Sequence, residues 1–219
     1  MSYDELDVEY DDGMSALYAE FTQQYEASFI LERVGSFYKK FPEVGLSSFQ
    51  NFIDSQNLLK NEFITPAFIQ AVISIEVGIK SVVLKPILYS LAINDEASNL
   101  LYELTFERKS LQAISSFYYN TLEEVSGWSF KDNHRDNVQQ SIETELKELQ
   151  KIRNTILHQG IIVEKEGAQK AIDIASYVFE KIIPTILDKF LCHFDKGVIK
   201  NGSSVYAVKM KELKNKKQS

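Results

Sequence analysis

Apolar residues recur at steps of three and four along much of this chain, which is the spacing of an amphipathic helix. The clearest run covers residues 138–156, and a second run covers residues 172–194. Each run spans several helical turns and therefore predicts a helix with one core-facing side. The first stripe is Val138, Ile142, Leu146, Leu149, Ile152 and Ile156, and the second is Ile172, Ala175, Phe179, Ile182, Ile186, Phe190 and Phe194.

Prolines and small polar residues mark where helices begin and end. Residues 14–41 form one predicted helix, because Pro42 follows it, and residues 46–60 form a shorter and weaker one. Thr65-Pro66 is a favourable start for a longer helix, with threonine as the N-cap and proline in the first turn.

This longer helix is predicted to run to Ile93, with a kink or break near Pro86. Asn94-Asp95 begins the next helix, which we expect to end around Gly127. The remaining boundaries are a polar loop at residues 131–137, Gly160 after the first stripe, Gly167 before the second stripe, and Pro184, which should bend the last helix.

These elements predict an all-α protein in which residues 65–195 form an antiparallel four-helix bundle, since such stripes are buried by packing helices together. Residues 1–64 would add an N-terminal helical extension, and residues 196–219 would form a basic tail. One stretch allows strands: apolar pairs flank Asn201-Gly202, so a hairpin and a short ordered tail are both open there.

Charge is distributed unevenly along the chain. The formal net charge is −7, which argues mildly against nucleic-acid binding. The first twelve residues hold six acids and no base, whereas residues 196–219 hold seven lysines and one glutamate. A lysine-rich end can track phosphates without sequence preference, or it can simply be a solvated end.

Other features limit the cellular setting and the chemistry. Cys192 is the single cysteine, so the sequence predicts neither a disulfide framework nor a thiolate metal site. The acidic N-terminus does not resemble a signal peptide, and no unbroken apolar run reaches the roughly 18 residues of a membrane helix. We therefore expect a cytoplasmic protein, with no membrane contact, no metal and no cofactor.

The most specific chemistry lies at the end of the first stripe. Arg153 and His158 are five positions apart, Asn154 follows the arginine, and Gly160 closes the helix. On one straight helix, Arg153 and His158 point about 140° apart. The two side chains would converge either if the helix distorts near His158 or if two copies of the chain face each other.

The segment Arg153-Asn154-x-x-x-His158 resembles the motif of the HEPN superfamily of helical-bundle proteins, many of which are metal-independent ribonucleases. The resemblance covers residues 65–195 and implies a composite cleft between two bundles, and hence a homodimer that acts on RNA. It also implies a role as a toxin or phage-defence effector with a regulating partner, either an antitoxin or a nucleotidyltransferase. Some toxin members carry a modified tyrosine two residues after the histidine, and this chain has Gly160 there.

The residue types suit RNA cleavage. Histidine transfers protons near neutral pH, arginine presents a permanent charge to phosphate, and asparagine can orient either group. The products would be a 2′,3′-cyclic phosphate and a 5′-hydroxyl. Two alternatives stay open: a non-catalytic HEPN bundle that binds RNA or protein, and an unrelated helical interaction protein in which Arg153 forms a structural ion pair and His158 caps a helix.

Glu76 lies within an otherwise apolar stripe of the helix that begins at Thr65. A carboxylate in that position needs a partner, because an unpaired buried charge is costly. Lys80, four residues along the same helix, and Arg153 are the two candidates. An ion pair with Arg153 would hold the guanidinium in place and would make Glu76 a supporting residue of the site.

Overall fold

The computed structural model describes residues 29–30, 32–92, 94–103, 119–120, 123 and 126–202, and helices dominate this part of the chain. The helices are α1 (residues 32–40), α2 (Leu46–Lys60), α3 (Ile64–Gly78), α4 (Lys85–Leu91), α5 (Asp95–Tyr102), α6 (Ile142–Gln159), α7 (Lys165–Tyr177) and α8 (Ile183–Lys189). Strands β1 (Cys192–Asp195) and β2 (Val198–Asn201) form an antiparallel hairpin.

Several local boundaries agree with the sequence prediction. Helix α2 has the predicted limits, and α5 begins after Asn94, whose side chain accepts a hydrogen bond from the Ala97 amide. Helix α6 ends at Gly160, which adopts a left-handed conformation with φ of 66°. The start of α5 and the end of α6 are set by the short-range chemistry of helix caps, which a sequence displays directly.

Pro86 alters the helix without ending it. A π-helical segment, Ile79–Leu84, joins α3 to α4, and Pro86 lies in the first turn of α4. Proline has no amide hydrogen to donate to the carbonyl four residues earlier, which here belongs to Val82. The Tyr38 hydroxyl donates to that carbonyl at 2.7 Å, so a side chain from α1 satisfies it. The predicted irregularity near Pro86 is therefore a π-helical segment supported from outside the helix.

Pro184, like Pro86, follows a π-helical segment. The π-helical segment Val178–Ile182 joins α7 to α8, and Pro184 lies in the first turn of α8. The chain remains helical from residue 165 to residue 189. Both prolines thus directly follow a π-helical segment, and helices commonly become irregular at such positions.

The core is built around α3, which packs against α2, α6 and α7. Gly78, at the end of α3, allows the Phe179 ring to approach, since a Cβ there would lie 3.2 Å from Phe179 Cζ. The Phe179 ring stacks on Phe52 at 5.3 Å and on Phe194 at 5.9 Å between centroids. Helix α2, which we assigned to the N-terminal extension, therefore shares its core with α3, α7 and the hairpin.

The C-terminal part of the predicted last helix is wrong. The helix ends at Lys189, and Phe194 lies in β1 rather than on a helical stripe. The turn between these two strands is Lys196-Gly197, with φ of 51° and 90°, whereas a turn at Asn201-Gly202 stays a prediction. Two consecutive turn residues with positive φ give a backbone twist that suits the right-handed twist of the two paired strands. Residues 205–208, which the sequence offered as the second strand, lie outside the described residues.

Three smaller predictions also fail. Val138 precedes α6, Ile152 is 42% exposed, and Gly167 lies inside α7, which starts at Lys165. The predicted helix before residue 29 and the predicted helical stretch 104–118 fall outside the described residues. The helical class is thus confirmed, while the four-helix bundle over residues 65–195 stays a prediction.

One continuous helix, Ile64–Leu91, is long and apolar enough to cross a membrane by length and composition, with a mean hydropathy of 1.8. Glu76, Lys80 and Lys85 interrupt this helix, so it holds no unbroken apolar run of that length, and the expectation of no membrane contact stays a prediction. In the structure, 67% of the apolar window is buried inside the protein. The central position of α3 in the core accounts for this composition, since a helix surrounded by others is apolar on most sides.

Candidate functional site

Helix α6 carries the candidate motif and is well defined at both ends. The Ser141 hydroxyl accepts a hydrogen bond from the Thr144 amide at the N-terminus, and Glu143 and Glu145 occupy the first turn. Acidic residues at the start of a helix and a histidine at its end suit the helix dipole. His158 lies in the last turn, directly before the Gly160 cap.

The loop before α6 is anchored by a residue that sequence analysis placed in a polar loop. Arg135 Nε and a terminal nitrogen donate to the two carboxylate oxygens of Glu145 at 2.8 and 2.7 Å. Glu145 is 1% exposed, so this forked ion pair lies within the fold. The hydrogen bond to Glu145 raises the pKa of Arg135 above its usual value. An apolar stripe cannot reveal this pair, because its partners come from different elements.

Arg153 points into the protein. It lies on the side of α6 that carries Leu149 and Ile156, both buried. Its terminal nitrogen lies 3.8 Å from Glu76 Oε2 on α3, and its side chain is 25% exposed. Its Nε is buried without a hydrogen-bond partner among the described residues. The ion pair with Glu76 that we predicted is therefore present, as a loose contact.

Glu76 also meets the other predicted candidate. Lys80 Nζ donates to Glu76 Oε1 at 2.9 Å, and both side chains are 12% exposed. Both cations that the sequence allowed as partners of Glu76 therefore contact it. Oε1 of Glu76 faces Lys80, and Oε2 faces Arg153. The shorter distance makes Lys80 the closer partner.

Further polar groups surround this ion pair. Burial raises the pKa of the Tyr119 phenol, and the nearby carboxylates of Glu143 and Glu76 raise it further. Glu143 accepts a hydrogen bond from Lys147 at 2.6 Å. Two carboxylates, from α3 and α6, therefore lie near one buried tyrosine.

Asn154 and His158 lie on a different side of α6. They line an open groove of about 460 Å³ that runs along the helix. His158 is exposed, and Asn154 is half-buried. The other residues lining the groove are Thr144, Lys147, Glu148, Lys151, Thr155 and Gln159.

Arg153 does not line this groove, in agreement with the predicted separation of about 140° between Arg153 and His158. The helix stays regular through Gln159, so it does not distort to bring them together. Within one chain, Asn154 and His158 lie together in the groove, whereas Arg153 lies beside Glu76. Sequence analysis missed the flanking Lys147 and Lys151, although their positions on the helical wheel place them beside Asn154 and His158.

A second, more apolar groove of about 380 Å³ adjoins the first. Glu148, Lys151 and Thr155 line both grooves, and Ile152, Ile156 and Ile161 line only the second. Further exposed apolar residues lie at the end of α6 and beyond it: Leu157, in the last turn, is 56% exposed, and Ile162, after the helix, is 82% exposed. The histidine groove therefore borders a surface with several solvent-facing aliphatic side chains.

Metal ligands do not cluster in the part of the chain that the structure describes: no three His, Cys, Asp or Glu side chains come together there. Cys192 is buried in β1 and unpaired, and burial raises the pKa of its thiol. No protein-family model matches this chain, and no curated protein or solved structure matches it.

Proposed function

We propose that this protein is an endoribonuclease of the HEPN type, with an antiparallel four-helix bundle over residues 65–195, and that it cuts RNA without a metal ion. The observation that carries the proposal is the groove on α6 that contains Asn154 and His158. The groove is open and shallow, and its exposed histidine is accessible to a strand of RNA. This chemistry uses the nucleophile that RNA itself supplies.

In the proposed reaction, His158 accepts the proton of the ribose 2′-hydroxyl as a general base. The 2′-oxygen then bonds to phosphorus, and the bond from phosphorus to the 5′-oxygen breaks. Transfer of this proton from His158 to the leaving 5′-oxygen gives a 2′,3′-cyclic phosphate and a 5′-hydroxyl. Asn154, one helical turn before His158, orients the phosphate through its amide.

In the proposed site, the arginine that contacts the phosphate is Arg153 of a second copy of the chain. Within one chain it faces Glu76, so a composite site between two α6 helices is the arrangement that would bring arginine and histidine to one phosphate. A twofold dimer is the commonest oligomer of soluble proteins. The exposed side chains of Ile152, Leu157, Ile161 and Ile162 support such contact beside the histidine groove.

The biological setting follows from the resemblance alone. A cytoplasmic HEPN ribonuclease of this kind would serve as a toxin or as a phage-defence effector, held inactive by an antitoxin or by a partner nucleotidyltransferase. Gly160 occupies the position of the tyrosine that such a transferase modifies in some toxins, so control of this protein would act elsewhere.

The decisive experiment incubates purified protein with RNA in the presence of a chelator. We expect wild-type protein to cut RNA and to leave the matching DNA intact, because DNA lacks the 2′-hydroxyl. His158→Ala should lower the rate by about 10²–10⁴. His134→Ala is the matched control, since His134 is also exposed but lies in the loop before α6. Cleavage that His158→Ala leaves unchanged would place the active site elsewhere.

A non-catalytic HEPN bundle that binds RNA or protein is the second candidate. It is favoured by the inward position of Arg153, which behaves as a structural cation between α6 and α3. Wild-type protein that binds RNA in the same assay but never cleaves it would select this candidate.

A further inference from the structure

The histidine groove contains a row of polar residues on one face of α6. Lys147, Lys151, Asn154 and His158 are spaced by four, three and four positions, and all four line the groove. At 100° per residue, they fall within about 60° of one another around the helix. The row extends from the second turn of α6 to its last turn, so it follows the length of the groove.

Two of the charged side chains that line the groove, Lys147 and Glu148, are already paired. Lys147 donates to Glu143 at 2.6 Å, and Glu148 accepts from Lys170 at 3.2 Å. Lys151 is exposed, and no carboxylate in the described ranges pairs with it. The ammonium group of Lys151 is therefore the groove charge left available to a polyanion.

Lys151 and His158 are separated by seven residues, or about 10 Å along the helix axis. Their directions differ by only about 20°, whereas Arg153 points about 160° away from Lys151. Arg153 is engaged with Glu76 in the same chain and does not line the groove. A strand lying in the groove would therefore meet histidine and lysine at two separate positions.

We propose that Lys151 binds a backbone phosphate that flanks the phosphate held at His158. Lysine is a compact point charge that contacts phosphate without reading the base. The contact deepens the proposed function and rests on it, because it assumes that a single-stranded RNA occupies the groove. Lys151 is thus a substrate-binding residue, and it takes no part in proton transfer.

Binding is tested with a short, fluorescein-labelled 2′-O-methyl RNA, which lacks a free 2′-hydroxyl and cannot be cut by this route. We expect Lys151→Gln to weaken binding about two- to fivefold, as for one exposed ion pair. The salt dependence of the affinity should also fall by about 0.7 in slope, the contribution of one phosphate on a single strand. Lys151→Arg should restore both values. Lys181→Gln removes an exposed lysine from the π-helical segment before α8 and should change neither.

Cleavage kinetics separate this proposal from the proposed function. With unmodified RNA, Lys151→Gln should raise KM with little effect on kcat, because it removes binding that is equal in the ground and transition states. His158→Ala should lose cleavage and should still bind the methylated strand through Lys151. If wild-type protein binds the strand through Lys151 but never cuts RNA, only the catalytic proposal fails.

Equal affinity and equal salt slope for wild type and Lys151→Gln would overturn the role of Lys151, even if RNA is cut at His158. The absence of any binding to the methylated strand at low salt would overturn both proposals. Light scattering on Lys151→Gln checks that its oligomeric state matches that of the wild type, so that a change in affinity reports on the groove.

Discussion

The guanidinium of Arg153 lies 3.8 Å from the carboxylate of Glu76, which places a motif residue of α6 against the central helix α3. The other oxygen of the same carboxylate accepts a hydrogen bond from Lys80 at 2.9 Å. A single buried acid thus holds two cations from different helices. This arrangement links the candidate site to the stability of the core, because Glu76 contributes to both.

Replacing Glu76 by glutamine should destabilise the protein by about 2–4 kcal/mol, because two largely buried cations lose their counter-charge. Double-mutant cycles that combine Glu76→Gln with Lys80→Met or with Arg153→Met would measure the coupling energy of each ion pair separately. We expect the larger coupling energy, about 1–2 kcal/mol, for Lys80, since its hydrogen bond is short. The free energies come from urea unfolding. A coupling to Arg153 that equals or exceeds the coupling to Lys80 would contradict the geometry.

Arg135→Lys should cost about 2–3 kcal/mol of unfolding free energy, although the charge is preserved. Lysine cannot donate two parallel hydrogen bonds to Glu145, which is almost completely buried. Lys147→Arg is a suitable control, because Lys147 is 46% exposed and either cation can pair with Glu143 there. Thermal or urea unfolding measures both variants, and equal stability of Arg135→Lys and wild type would show that the fork is dispensable.

Gly197→Ala should be more destabilising than Gly127→Ala. Both glycines have positive φ, of 90° and 68°, so both variants carry a conformational cost of about 1–2 kcal/mol. A Cβ at Gly197 would also lie 2.7 Å from Leu46 Cα, whereas no described residue comes within 4 Å of a Cβ at Gly127. The hairpin must therefore move away from α2 in the first variant only. Unfolding midpoints compare the two, and similar losses would mean that the hairpin is free to shift.

Ile162→Asp should convert the proposed dimer into a monomer and reduce RNA cleavage with it. Ile162 is 82% exposed, so the variant should fold normally, but a charge placed in an apolar interface disfavours association. Light scattering at micromolar concentration measures the mass. Leu100→Asp is the matched control, since Leu100 is 56% exposed on α5. A wild-type monomer that cleaves RNA at full rate would rule out the composite site.

The C-terminal end of α6 and the two directions of its motif could be predicted from the sequence. Gly160 closes the helix, and the angle between Arg153 and His158 follows from helix geometry alone. Glu76 and its two possible partners were also identified, because an acid in an apolar stripe requires a cation. Each of these inferences depends on chemistry within one helix or on a simple requirement for charge pairing.

The sequence by itself determined most of the segments that become helices, the starts of α2 and α5, and the C-terminal end of α6. Tertiary structure decided that Phe194 belongs to a strand, because an apolar residue fits a helical stripe or a buried strand equally well until its neighbours are known. It also decided that Glu76 meets both Lys80 and Arg153, and that Ile152 faces solvent. These outcomes depend on which helices pack together. They could not be predicted, because a contact between two distant segments leaves no periodic pattern in the sequence of either segment.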